Sequence, residues 1–395
     1  MYILVYFYRV SLAVVAQDIS RDLQLTPQQL GSLSGVLFFV FAVAQIPLGP
    51  MIDRLGSRLV ISGCGVLTAA GGILFSQAGS LATAMTARLM IGVGTASVLM
   101  ATFTIFSYWY TKQEFGRVSG LMSAVGNLGN ISATAPLSLA ASAIGWRASF
   151  LTIGAVQAFA TLLVFLKVQD RPPKIEGFAE HSDNRPLDLL ATWREIFGNR
   201  NFWLLAGIAF FWYGNYMALQ GLWGGPYLQE VLLLPRVTAG RILMFTAFGF
   251  ISGSMFIDTI ARKIFKSYKK TLLAGQTLLL LLMTVFLGGL ESFSQPLLAA
   301  VFYAIGLAVS SGVMVYPIIR SMFSPNITGT ALTSLNFFVL MGAAATQQIM
   351  GLIIGSIRNG GISSPAAAFH VAFLFPIIGL AVSIVSYLFA KDFGV

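Results

Sequence analysis

Residues 49–58 read Gly49-Pro50-Met51-Ile52-Asp53-Arg54-Leu55-Gly56-Ser57-Arg58. This short charged loop joins two long apolar runs, 31–52 and 58–77, each of about the 20 residues that a membrane-crossing helix requires. Its pattern is G-x-x-x-D-R-x-G-x-R, and each member has a physical use. Asp53 can accept hydrogen bonds and meet the positive end of a neighbouring helix. Arg54 and Arg58 anchor the ends of two spans, while Gly49 and Gly56 permit close packing and a tight turn.

Outward from this loop the chain repeats itself. A weaker copy, Ser254-MFI-Asp258-TIA-Arg262-Lys263, lies in the second half and lacks both glycines. Gly116 and Gly129 are 13 residues apart, as are Gly329 and Gly342, at matching places in the two halves. Reading the apolar runs between charged or Pro/Gly-rich breaks predicts twelve spans. They fall at 1–17, 31–52, 58–77, 81–108, 117–139, 147–168, 201–224, 237–259, 270–290, 295–320, 328–356 and 367–390. The first starts late or is truncated, and no signal-peptide cleavage site follows it. The predicted units are a six-helix bundle over 1–168, a linker over 169–200 and a second six-helix bundle over 201–395. The linker is rich in proline and in both signs of charge, with a short amphipathic helix near Leu187–Phe197. Two bundles related by parallel repetition point to a transporter whose substrate lies between them.

Composition agrees with a membrane protein. The 395 residues are 56% hydrophobic and 10% charged, with a mean hydropathy of +0.81, whereas soluble domains carry about a quarter charged residues. The net charge of +10 belongs to topology rather than to nucleic acid, since no basic solvated domain presents it. Seventeen of the 24 Lys and Arg residues fall on one face if both termini are cytoplasmic, and only Arg21, Arg147, Arg236, Arg241 and Arg358 on the other. The expected location is a cell (inner) membrane, as a multi-pass monomer embedded in the bilayer. A single cysteine, Cys64, and two distant histidines, His181 and His370, offer no disulfide framework and no metal site. No nucleotide fingerprint, catalytic triad or paired intramembrane carboxylate is present, so neither an enzyme nor a cofactor is expected, and the partner is a small molecule.

The loop 49–58 resembles the signature loop of the major facilitator superfamily. Arg88-LMI-Gly92-V-Gly94 resembles a second motif of that family, R-x-x-x-G-x-G, and Gly145-Trp146-Arg147 resembles its usual start of span 6. The resemblance covers essentially the whole chain. It implies two six-helix bundles around a central cavity lined by spans 1, 4, 7 and 10, and alternating access to it. It also implies that Asp53, Arg54 and Arg58, with Asp258 and Arg262 in the weaker copy, hold a cytoplasmic latch. Arg88 either faces the cavity or bonds span 1 structurally, because an arginine within a span needs a polar partner.

Arg9 sits in Tyr6-Phe7-Tyr8-Arg9-Val10-Ser11-Leu12, which resembles the first span of organophosphate and organic-anion transporters of this superfamily. There an arginine at this place faces the substrate, and a forked, always-charged donor suits a carboxylate or phosphate. The acidic residues that the anion:cation symporter branch commonly places beside this arginine and after the span-4 glycines read Tyr8 and Thr95 here. All fourteen acidic residues lie in loops or at span ends. Carboxylate-based proton coupling is therefore not expected, and facilitated diffusion or exchange is. The second arginine of sugar-phosphate exchangers is missing from span 7, which favours a singly charged carboxylate, amino acid or zwitterion. Asn127, Tyr216, Gln220, Asn336 and Gln347 are the expected hydrogen-bonding partners. Efflux of hydrophobic compounds, or a transport-incompetent solute sensor, are the alternatives.

Overall fold

The computed structural model describes residues 1–171, 189–360 and 364–394 of the 395-residue chain. All regular structure among them is helical. Ten helices are each long and apolar enough to cross a membrane, and the bent pair Tyr2–Val10 and Leu12–Leu23 makes an eleventh. The twelfth is Lys112–Ser132 together with 135–144. It is less apolar than its neighbours because Asn127 and Asn130 lie along it.

Three spans differ from the sequence expectation, each for a local reason. Span 1 bends by 54° at Ser11 and runs on to Leu23 instead of stopping near 17. Its polar outer turns find partners: Asp18 pairs with Arg236, and Asp22 accepts from Trp146 Nε1 at 2.9 Å. The boundary between spans 5 and 6 lies at Gly145, where φ is +79° within an otherwise helical Ala135–Lys167. Span 7 extends to Val231 and contains two π turns, Leu219–Trp223 and Tyr227–Val231, a local widening found frequently at functional positions. The amphipathic linker helix appears at Leu189–Gly198. The segment 172–188 lies outside the described residues.

Arg147 docks on the end of span 3, donating to the carbonyls of Ala78 (2.7 Å) and Ser76 (3.3 Å), which makes Gly145-Trp146-Arg147 a structural anchor. Arg88 is fully buried and stitches span 4 to its neighbours. It donates from Nη1 to the Tyr8 carbonyl at 2.9 Å and from Nε to the Leu33 carbonyl at 3.3 Å. Of the two readings, bonding to span 1 is the one realised. Gly92 and Gly94 let span 4 approach that closely: a Cβ would lie 3.0 Å from the Leu37 carbonyl oxygen at Gly92, and 2.2 Å from Thr68 Oγ1 at Gly94. Charge-assisted hydrogen bonds contribute about 1.5–3 kcal/mol each. Arg88→Leu is therefore expected to lower the melting temperature in detergent markedly while ligand affinity at the cavity is kept. Unchanged melting with lost affinity would contradict this role.

The charged loop behaves differently from expectation in one respect. Gly56 has φ +86° and N-caps the helix Ser57–Ser76, as a tight turn requires. The carboxylate that caps this helix is Asp170, at the end of span 6: its Oδ1 accepts from the Arg58 amide at 2.6 Å, satisfying a donor at the positive helix end. Arg58 Nε donates to the Phe165 carbonyl at 2.9 Å. The Asp53 side chain lies outside the described residues, and Arg54 is exposed. Among the described residues nothing lies within 4 Å of a Cβ built on Gly49, so close packing to them does not require a glycine there. In the second copy, Asp258 pairs with Arg262 one turn on at 2.9 Å, and Arg262 also donates to the Tyr268 hydroxyl at 2.7 Å. Both are local contacts, the first exposed and the second half-buried.

Candidate functional site

A central cavity of about 410 Å³ lies between the bundles. Its walls come from spans 1, 2, 4, 5, 7, 8, 10 and 11, and Arg9 is the only cation among its described lining residues. No carboxylate lines it among those residues. Arg9 owes its place to the first half of span 1, whose other face is packed by Leu4, Phe7 and Tyr8. Its guanidinium carbon lies 4.5 Å from the ring centre of Phe41 and 5.3 Å from that of Tyr6, so aromatic faces rather than an acid stabilise the charge. The Tyr213 hydroxyl is in side-chain contact with it. Among the described residues Arg9 Nε has no hydrogen-bond partner, leaving part of the fork available for a ligand.

Four of the six predicted binding residues meet here: Arg9, Asn127, Tyr216 and Asn336. Asn336 Nδ2 donates to Gln45 Oε1 at 3.0 Å, a contact between span 11 and span 2. Asn127 Oδ1 accepts from Asn130 Nδ2 at 3.0 Å. The Tyr216 ring stacks on Phe250, centres 5.4 Å apart, and its hydroxyl has no partner among the described residues. Gln220 and Gln347 do not line the cavity; both are fully buried beyond it. Asn215, on the same stretch of span 7, turns away and donates to the Pro376 carbonyl of span 12 at 2.9 Å. His370 lies beside Glu291 at 2.9 Å and is not among the cavity residues.

Sequence reasoning missed Tyr2, Tyr6, Tyr213 and Asn130 as lining residues. Helical spacing was the available signal. Tyr6 precedes Arg9 by three residues, Tyr213 precedes Tyr216 by three, and Asn130 follows Asn127 by three.

The cavity reaches from Arg9 towards the span ends that carry the two termini, past Tyr2, Phe103, Ser254 and Tyr316. The opposite end is shut by contacts between the bundles. Asp18 of span 1 pairs with Arg236 at the start of span 8, and Gln17 Nε2 donates to Glu230 Oε1 at 3.4 Å. Below them the backbones of spans 1 and 7 touch: a Cβ on Gly225 would lie 1.5 Å from the Ala13 carbonyl oxygen. Thus the cavity extends towards one end and is sealed from the other.

A sequence profile of the Major Facilitator Superfamily matches residues 1–347. The chain belongs to this superfamily. It is 27% identical over 263 residues to a probable sulfoacetate transporter of Cupriavidus necator, a match covering 64% of this chain and 60% of the relative. It is 27% identical over 293 residues to a probable L-galactonate transporter of Escherichia coli, covering 68% of this chain and 63% of the relative. In both cases the match spans less than two thirds of the relative's length. Among solved structures, a bacterial homologue of the human lysosomal transporter Spinster, inward-facing and unoccupied, superposes with a TM-score of 0.80 at 17% identity. That superposition covers 98% of this chain and 94% of the other. At this identity the likeness speaks to the fold of two six-helix bundles.

Proposed function

We propose that the protein is a membrane transporter of small organic anions, with Arg9 as the group that captures the anion. The observation that carries this reading is the cavity's charge: one guanidinium, partly unpartnered, with aromatic and amide neighbours and no carboxylate among its described lining residues. A buried fixed cation favours a ligand carboxylate or sulfonate, which completes its charge-assisted hydrogen bonds. Asn127, Tyr216 and Asn336 would bond the rest of the ligand. The relatives support the same chemistry, since sulfoacetate and galactonate are both anionic organic acids.

Transport on this reading alternates between the present arrangement and one in which the closed end parts and the other end shuts. The excess of Lys and Arg on the termini-bearing face supports placing that face in the cytoplasm, with the chain acting as a monomer in a cell membrane. The present arrangement is then inward-open. In it, the described contacts of Arg58 stay within its own bundle, consistent with an inner latch that is released. Counterflow in proteoliposomes tests the function. Vesicles loaded with unlabelled galactonate or sulfoacetate are expected to accumulate the labelled anion transiently, without ATP or an imposed proton gradient. Flux confined to hydrophobic amines or uncharged drugs would defeat the reading, as would anion binding without flux.

A further inference from the structure

Gln220 and Gln347 are fully buried, yet their amides are poorly served. Gln347 Nε2 donates to the Met217 carbonyl at 2.7 Å, but among the described residues Oε1 has no partner, and neither side-chain polar atom of Gln220 has one. Leaving such groups dry and unbonded is costly. Their position explains what they could serve. Gln220 lies in the π turn Leu219–Trp223, one turn beyond the cavity residue Tyr216 on the same face of span 7. The Gln347 amide rests against Gly221: a Cβ built there would be 2.7 Å from Gln347 Nε2 and 3.4 Å from the Arg9 carbonyl oxygen. The two amides therefore continue the polar line of Arg9 and Tyr216 past the cavity roof, towards the closed end. They are covered from the other bundle, where Gly31 of span 2 packs on the Gln347 carbonyl and Ala13 of span 1 packs on Gly225.

We propose that Gln220 and Gln347 form a second binding station for the transported anion, uncovered when spans 1 and 2 part from spans 7 and 11 and absent from the present state. Two amides, each offering an N–H donor and a carbonyl acceptor, suit the hydroxyls and carboxylate of a hydroxy acid better than a bare hydrocarbon acid. The station would take an incoming ligand before Arg9 does, and its unpaired atoms disfavour the closed end until that end opens again. The inference rests on the organic-anion reading for the identity of its ligand.

Galactonate is the probe. Gln220→Met and Gln347→Met keep the side-chain volume but remove the amide. Each is expected to raise the apparent KM about tenfold, roughly one lost hydrogen bond in a buried site, when galactonate is supplied at the face opposite the termini. The KM at the termini-bearing face should stay as in the parent, whereas Arg9→Ala should impair both faces. Equal effects on both faces, or on neither, would overturn the station. A second measurement covers variants that do not fold. With the single cysteine removed by Cys64→Ser, Gln220→Cys and Gln347→Cys should react with a membrane-impermeant maleimide from the face opposite the termini, and galactonate should slow the reaction. Labelling from neither face, or only from the termini-bearing face, overturns the proposal. A parent protein that exchanges no organic anion defeats the function instead, and the labelling then still decides whether these amides are uncovered.

Discussion

Arg9→Ala is expected to reduce exchange of galactonate or sulfoacetate by at least about thirtyfold, because removing one partner of a buried, hydrogen-bonded charge pair costs about 2–5 kcal/mol. The loss should fall on binding, and it should come with a more stable empty protein. In the unloaded cavity the guanidinium has only aromatic faces and the Tyr213 hydroxyl for company, so deleting it relieves an unneutralised charge within the membrane. Thermal unfolding in detergent, with and without ligand, checks both parts. The alanine variant should melt no lower than the parent and should lose the upward shift that ligand gives. Arg9→Lys should restore part of the affinity, since it keeps the charge and loses the fork. An alanine variant that binds anions as the parent does would remove Arg9 from the site. One that merely fails to fold would make it a structural residue like Arg88.

Gly225→Ala is expected to hold the closed end open. A methyl group there would sit 1.5 Å from the Ala13 carbonyl oxygen and 2.6 Å from its carbon. Both are backbone atoms inside packed helices and have no rotamer by which to yield. Spans 1 and 7 must then separate, and with them the contacts of Asp18 with Arg236 and of Gln17 with Glu230 that shut this end. Forcing an extra methyl group into a packed contact typically costs about 1–3 kcal/mol, and more where only backbone can yield, a bias that draws a two-state balance towards the parted arrangement. Exchange should fall at least about a hundredfold, while a cysteine at position 17 becomes reactive to an impermeant thiol reagent from the face opposite the termini. Parent-like exchange together with unreactive Gln17→Cys would show that the two helices part at little cost.

These expectations also show what the sequence could and could not reveal. The twelve-span fold was legible because apolar length and the placement of Lys and Arg are one-dimensional signals, and the loop 49–58 and its weaker copy supplied the order of the two bundles. Arg9 was legible as a charge with no acid to match it. Asp170 was not, because it caps a helix that begins 113 residues before it, and no local pattern records that pairing. The burial of Gln220 and Gln347 was equally hidden. They stand on the helix face of the cavity residues, and only the contact of spans 1 and 2 over that face decides whether they line a cavity or are sealed above it. The continuation of span 1 to Leu23 escaped for a related reason: partners on spans 6 and 8, Trp146 and Arg236, carry it past the end of its apolar run.

The unbalanced guanidinium of the cavity has an electrical consequence. A protein that swings one fixed positive charge across the membrane moves current when empty, and moves none once a monoanion has neutralised it. Voltage acts on a crossing elementary charge with about 2.3 kcal/mol per 100 mV. On the proposed reading, the membrane potential therefore bears on the return of the unloaded protein and leaves the one-for-one swap of anions untouched. With a dianion the loaded protein would carry a net charge of −1, so both journeys would sense the voltage, in opposite directions.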